Sequence, residues 1–129
     1  MKKTIIITAS VFGLLAVIAG AFGAHALQAK LSERNLDVWH TAVQYQFYHV
    51  FALLFLATIA GTRKSVAVPF YLFTIGIIFF CGSLYLLACR DLIGWGWLIA
   101  MGPITPIGGL VFIAGWAALG WYTFKNKMG

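Results

Sequence analysis

The sequence predicts an all-α fold: an integral membrane four-helix bundle forming a single domain over residues 1–129. Three observations predict it. The composition is 62% hydrophobic and 9% charged, whereas a soluble domain is about half apolar and about a quarter charged. Mean hydropathy is +0.93. Four separate apolar runs each approach the roughly 20 residues that a helix needs to cross a bilayer. None alternates as barrel strands do, and only helices or closed barrels satisfy their backbone groups in lipid.

The first span is expected at about 4–27. Its start, "MKKTIIITASVFGLLAVIAGAFGAHA", imitates a signal peptide, with two lysines ahead of an apolar run and a small-residue "AHA". The run is about 20 residues, longer than the roughly 7–15 of a signal h-region, so it reads as a retained helix. "SERN" at 32–35 is a polar turn leading to a second span at about 37–59. "GTRKS" at 61–65 links tightly to a third at about 67–88. The segment 89–105 is apolar and carries Trp95 and Trp97. Tryptophan favours the membrane–water interface, so this link is expected to lie on the membrane or to re-enter it without crossing. "TP" at 105–106 then reads as a helix start, with Thr105 capping and Pro106 in the first turn of a fourth span at about 106–124.

Charge predicts the orientation. Of the nine basic residues, Lys2, Lys3, Arg63, Lys64, Lys125 and Lys127 fall on one side of a four-span arrangement, and Lys30, Arg34 and Arg90 on the other. The positive-inside rule therefore places both termini in the cytoplasm. The net charge of +6 is read as topology, not as a nucleic-acid footprint, because the basic residues sit at the ends of the spans. Cys81 and Cys89 are eight apart in one helix, and a structural disulfide is not expected.

Association inside lipid relies on close packing at small residues. The candidates are Gly13, Gly20 and Gly23 on the first span, Gly82 on the third, and Gly108, Gly109 and Gly115 on the fourth. They predict contacts within the bundle or between copies of it.

Polar groups in hydrocarbon are expensive, so those of "HTAVQYQFYHV" (40–50) are the candidate functional residues. At about 100° per residue, His40, Gln44 and Tyr48 share one face, Thr41, Tyr45 and His49 a neighbouring one, and Gln46 lies near the line of His49. His40 and His49 point to nearly opposite sides, no HxxxH or HExxH occurs, and the three acids all lie near the interface. No metal site is expected. Folding the first two spans about Glu33 brings His25 level with His40 and leaves His49 deeper. Interhelical hydrogen bonding is the bland reading of His49, Gln44 and Gln46. Ser83 and Tyr85 are the expected partners on the third span, with a back-bond to its own helix as the alternative for Ser83.

Four blocks then carry a resemblance: "GAFGAHAL" (20–27), "AVQYQFYHVFALL" (42–54), "FCGSLYLLA" (80–88) and "ITPIGGLVFIAGW" (104–116). In that order they resemble the family of small inner-membrane proteins known as domain of unknown function 423, whose eukaryotic relatives are called transmembrane protein 256-like. The resemblance covers nearly the whole chain and implies four membrane helices. It implies no activity, substrate or catalytic residue. It matches His25 to the histidine of the "GAFGAH" block and His49 to the one closing the "YQ-x-x-H" block.

No nucleophile–base–acid set is visible, so a non-enzymatic role is expected, with the lipid bilayer as the surrounding partner. The first expectation is a polar pocket in the outer half, formed by His25, Gln44, Tyr45, Tyr48, His49 and Ser83, that binds or passes a small solute, a proton or a lipid headgroup. Four helices rarely enclose a pore, so transport would require a homo-oligomer. The alternative is an accessory or scaffold subunit of a larger membrane complex. Haem held by histidines of adjacent spans is a third reading. The unequal depths of His25 and His49 count against it, and no cofactor is expected.

Overall fold

The computed structural model describes residues 1–60 and 66–125. The "GTRKS" link with Arg63 and Lys64, and Lys127, lie outside the described residues. Four helices are long and apolar enough to cross a membrane: α1 (Lys2–Leu27), α2 (Glu33–Ile59), α3 (Ala67–Ala88) and α4 (Ile104–Lys125). Among the described residues there is no strand.

Three of the helices begin before their apolar runs do. Lys2 and Lys3 continue α1, and the polar residues 33–36 continue α2, because exposed helix ends can hydrogen-bond with water and headgroups. Ser32 caps α2, its hydroxyl oxygen accepting from Asn35 N at 3.1 Å, and Glu33 adds a favourable charge to the first turn. α4 starts at Ile104, so Thr105 lies inside the helix and not at its cap. Helix ends shift by a residue or two when a side chain finds a better partner, and the Thr105 hydroxyl does so on α3.

The packing is sequential. α1 lies on α2, α4 lies on α3, and α2 packs on α3 and reaches α4 through the His49 side chain. The main core joins Ile5 and Ala9 of α1, Leu53 and Leu56 of α2, Phe73 of α3 and Phe112 of α4. A smaller core of Leu27, Leu31 and Ala88 closes the end of the bundle away from the two termini.

Glycines decide how closely the helices approach. On α1, Gly13 and Gly20 sit over Val50 and Val43, and a methyl group on Gly23 would lie 2.6 Å from the Trp39 indole nitrogen. Between α3 and α4, aromatic rings fill glycine sockets in both directions. Phe112 occupies the space beside Gly76, and Phe73 that beside Gly115. At Gly108 the α3 backbone itself approaches, Phe80 N lying 2.5 Å from where a Cβ would be. Gly109 is looser, and Gly82 faces open space. Within the chain, the missing side chain of Gly82 widens a groove.

Two spans carry a π-helical turn, Gly23–Leu27 at the end of α1 and Ile77–Cys81 within α3. A π turn disturbs the regular carbonyl pattern, and in lipid side chains must make good any loss. Trp39 donates to the Ala19 carbonyl just before the first π turn, and Ser83 donates to the Phe80 carbonyl inside the second.

The link between α3 and α4 runs through turns, with Gly94 at φ 71°, into a short 3-10 helix, Gly96–Met101. Leu98 is buried and pins it, while Trp95 and Trp97 stack on each other and stay exposed. Asn35 Nδ2 donates to the Asp91 carboxylate at 3.1 Å and ties the link to the start of α2.

Candidate functional site

The buried face of α2 holds two polar side chains deep in the membrane, Gln46 and His49. Each is satisfied by a different neighbour. Gln46 Nε2 donates to the Phe12 carbonyl of α1 at 2.7 Å, and its Oε1 accepts from the Tyr85 hydroxyl of α3, also at 2.7 Å. One amide thus joins three helices. Trp39 adds a second link to α1 through the Ala19 carbonyl at 2.9 Å, and its ring meets Tyr85 edge-on at 4.7 Å.

His49 faces the other hairpin. Its Nε2 lies 3.1 Å from Trp116 Nε1 of α4, and its Nδ1 lies 2.7 Å from the Tyr45 carbonyl, one turn back on α2. An indole N–H can only donate and a carbonyl can only accept. Nε2 is therefore the acceptor, Nδ1 carries the proton, and the ring is a neutral imidazole with both nitrogens engaged. Phe112 stacks on it at 3.6 Å and 8°. A haem or metal ion would have to displace one of these bonds to use His49. Among the described residues no group of three His, Cys, Asp or Glu side chains could hold a metal.

Ser83 takes part in a third junction. Its hydroxyl donates to the Phe80 carbonyl at 2.9 Å and lies 2.6 Å from the Thr105 hydroxyl of α4. A serine has one proton to donate, so Thr105 is the donor to Ser83.

The six residues expected to form one polar pocket are thus placed apart. His49 and Ser83 are buried, each between its own helix and α4. Tyr45 borders His49 and packs on Phe80. Gln44 and Tyr48 are exposed on the opposite side of α2 from Gln46, and His25 is exposed at the C-terminal end of α1. His40 lies beside Gly23, and no hydrogen bond or ring contact joins it to His25 among the described residues. The helical phase separates these residues: Gln44 and Gln46 are about 200° apart, so burying one exposes the other. The sequence names Gln46 and Tyr85 as interhelical hydrogen-bonding residues outside the expected pocket, and it does not point to Trp39, to Trp116 or to Thr105 as a partner of Ser83. One signal was available, since Ala42, Leu53 and Ala57 mark the buried face of α2, and Gln46 and His49 lie on it.

Two cavities flank this polar spine. The larger, about 650 Å³, lies between α1 and α3 over α2. Phe12, Ala19 and Phe22 form one wall, Ile78 and Gly82 the other, and Trp39, Gln46 and Tyr85 the floor. The smaller, about 500 Å³, lies beside His49 between α2 and α4. The polar groups on the larger floor already have partners, so the surface it offers is hydrocarbon.

Four spanning helices joined by internally satisfied polar contacts define a multi-pass membrane protein. The family model described as "Protein of unknown function (DUF423)" matches residues 19–109, which reach from the outer half of α1 into the first turns of α4. The chain belongs to this family. It is similar to UPF0382 membrane protein SH2409 of Staphylococcus haemolyticus, 44% identical over 95% of this chain and 97% of that protein. It is also similar to UPF0382 membrane protein YwdK of Bacillus subtilis, 42% identical over 88% of this chain and 90% of that protein. No solved structure matches.

Proposed function

We propose that this protein is a non-enzymatic membrane module that holds the apolar chain of a lipid in the groove between α1 and α3. One observation carries the reading: the groove is about 650 Å³ and its wall is apolar, within the roughly 300–1,000 Å³ of ligand sites. The polar groups that line it offer little to a polar solute or a proton, because Gln46, Tyr85 and the Trp39 N–H are already bonded within the chain. A lipid tail needs none. The rim residues Leu15, Ile18, Phe22 and Ile78 are about half exposed, which leaves a lateral way in from the bilayer. The groove lies in the outer half of the membrane in the orientation that the basic residues favour, with both termini cytoplasmic.

Gly82 provides the test. A side chain there meets nothing within 4 Å and projects into the groove, so Gly82→Phe fills the site with little strain on the fold. The protein is extracted gently from its own membrane and its mass is read intact. Wild type is expected to retain a lipid that Gly82→Phe loses, with helicity and thermal midpoint preserved. An unchanged lipid complement in Gly82→Phe refutes the reading. Loss of a bound protein, and not of a lipid, would assign the groove to docking in a larger complex.

A further inference from the structure

α2 carries a second pattern that the groove does not use. Asp37, Thr41, Gln44, Tyr48, Phe51 and Phe55 follow one another at alternating spacings of four and three along its outward face. This is the heptad seam by which two helices pack in a left-handed pair. The seam lies opposite the buried face that meets the rest of the chain. Tyr48, Phe51 and Phe55 are each more than half exposed.

Two members are out of place in lipid. With Asp37 at the interface, helix rise puts Gln44 about 10 Å and Tyr48 about 16 Å deeper, too far for either to reach the headgroups. The Thr41 hydroxyl bonds back to the Asp37 carbonyl. The Gln44 amide and the Tyr48 hydroxyl have no hydrogen-bond partner among the described residues. An amide and a phenol exposed to hydrocarbon call for donors and acceptors from outside the chain.

We infer that this seam is the contact between two copies of the chain. The chemistry favours a second copy because the two groups left unpaired in lipid, the Gln44 amide and the Tyr48 hydroxyl, are each self-complementary, while Asp37 lies at the interface in reach of water. Two copies inserted the same way are related by an axis along the membrane normal, so each seam residue meets its own counterpart at equal depth. A glutamine amide both donates and accepts, so Gln44 of each copy satisfies the other through a reciprocal pair. Tyr48 hydroxyls pair in the same way, one donating to the other. Phe51 and Phe55 extend the contact with apolar surface toward the inner side. Polar positions in an otherwise apolar seam fix register, and Gln44 and Tyr48 have that place here.

The test is cysteine crosslinking in native membranes, in a Cys81→Ala, Cys89→Ala background. Gln44→Cys and Phe51→Cys, on the seam, are compared with Leu14→Cys on α1 and Leu110→Cys on α4, which are at least as exposed. Disulfide-linked dimers at 44 and 51 but not at 14 or 110 are expected. In the unlinked protein, Gln44→Leu should weaken dimerisation about three- to tenfold, while leaving the thermal midpoint of the monomer unchanged or raised. Equal crosslinking at all four positions, no dimer at 44 and 51, or crosslinks there only to a different protein would each overturn the assignment. Because the seam and the lipid groove lie on opposite sides of α2, Gly82→Phe should leave the crosslinks intact, so the two readings fail separately.

Discussion

Removing the Gln46 side chain should cost more than the bonds it makes. Gln46→Leu preserves much of the shape and deletes both hydrogen bonds, to the Phe12 carbonyl and from the Tyr85 hydroxyl. Interhelical side-chain bonds in membranes contribute about 0.6 kcal/mol each on average, so the pair accounts for about 1.2 kcal/mol. The Phe12 carbonyl keeps its bond within α1. The Tyr85 hydroxyl is left without a partner, and an orphaned buried hydroxyl costs about 1–3 kcal/mol more. The total is about 2–4 kcal/mol. Tyr85→Phe deletes one bond and strands the Gln46 carbonyl oxygen, for about 1.5–3.5 kcal/mol. The double variant loses both bonds but strands no side-chain group, so it should cost about 1–2 kcal/mol, less than Gln46→Leu alone. Adding the second substitution therefore restores stability. A double-mutant cycle read by reversible unfolding in mixed micelles, with tryptophan fluorescence as the signal, measures this directly. Strict additivity of the two substitutions would refute the three-helix role of the amide.

Neighbouring glycines should behave oppositely: Gly108→Ala drives a methyl group into the Phe80 backbone and should lower the thermal midpoint by several degrees, whereas Gly109→Ala should change it little. Trp116→Phe keeps the ring packing but removes the proton that His49 Nε2 accepts, and should cost about 1 kcal/mol in the same unfolding assay. His49→Ala, which also opens a cavity beside Phe112 and Phe73, should cost distinctly more. Burial pushes the Cys89 thiol up from its ordinary value. Only the thiolate reacts, so labelling of Cys89 in intact cells by a membrane-impermeant maleimide should speed up markedly as the pH is raised from 7 toward 9. Labelling only from the cytoplasmic side would reverse the proposed orientation.

The four spans were legible because hydropathy accumulates over about 20 residues and needs no knowledge of neighbours. The polar sites were harder, for a reason specific to α2. Its outer half carries polar residues all the way round, so periodicity alone does not say whether Gln44 or Gln46 faces inward. Small residues settle it, since Ala42 and Ala57 lie where other helices come close. The partners of these groups were legible only in part. Tyr85 was foreseeable as a phenol on a buried span. The Phe12 and Ala19 carbonyls were not, because every residue has one and only the crossing geometry selects which is reached. Nothing in the sequence singles out Trp116, whose N–H turns inward to His49. Gly82 shows the converse failure: a small residue marks an approach or an opening, and sequence does not distinguish them.

The link between His49 and Trp116 also bears on how the protein is built at the ribosome. The first two spans emerge and insert as a hairpin in which Gln46 can at once reach the Phe12 carbonyl. His49 has no such early partner for Nε2, since Trp116 lies in the last span to be synthesised. Until that helix arrives, a ring nitrogen near mid-bilayer stays open to lipid or to the insertion machinery. The nascent chain thus carries a chemical marker of incompleteness that is erased when α4 docks. A truncated chain ending before α4 should be held longer by the insertion machinery than the full chain, and His49→Phe should shorten that delay.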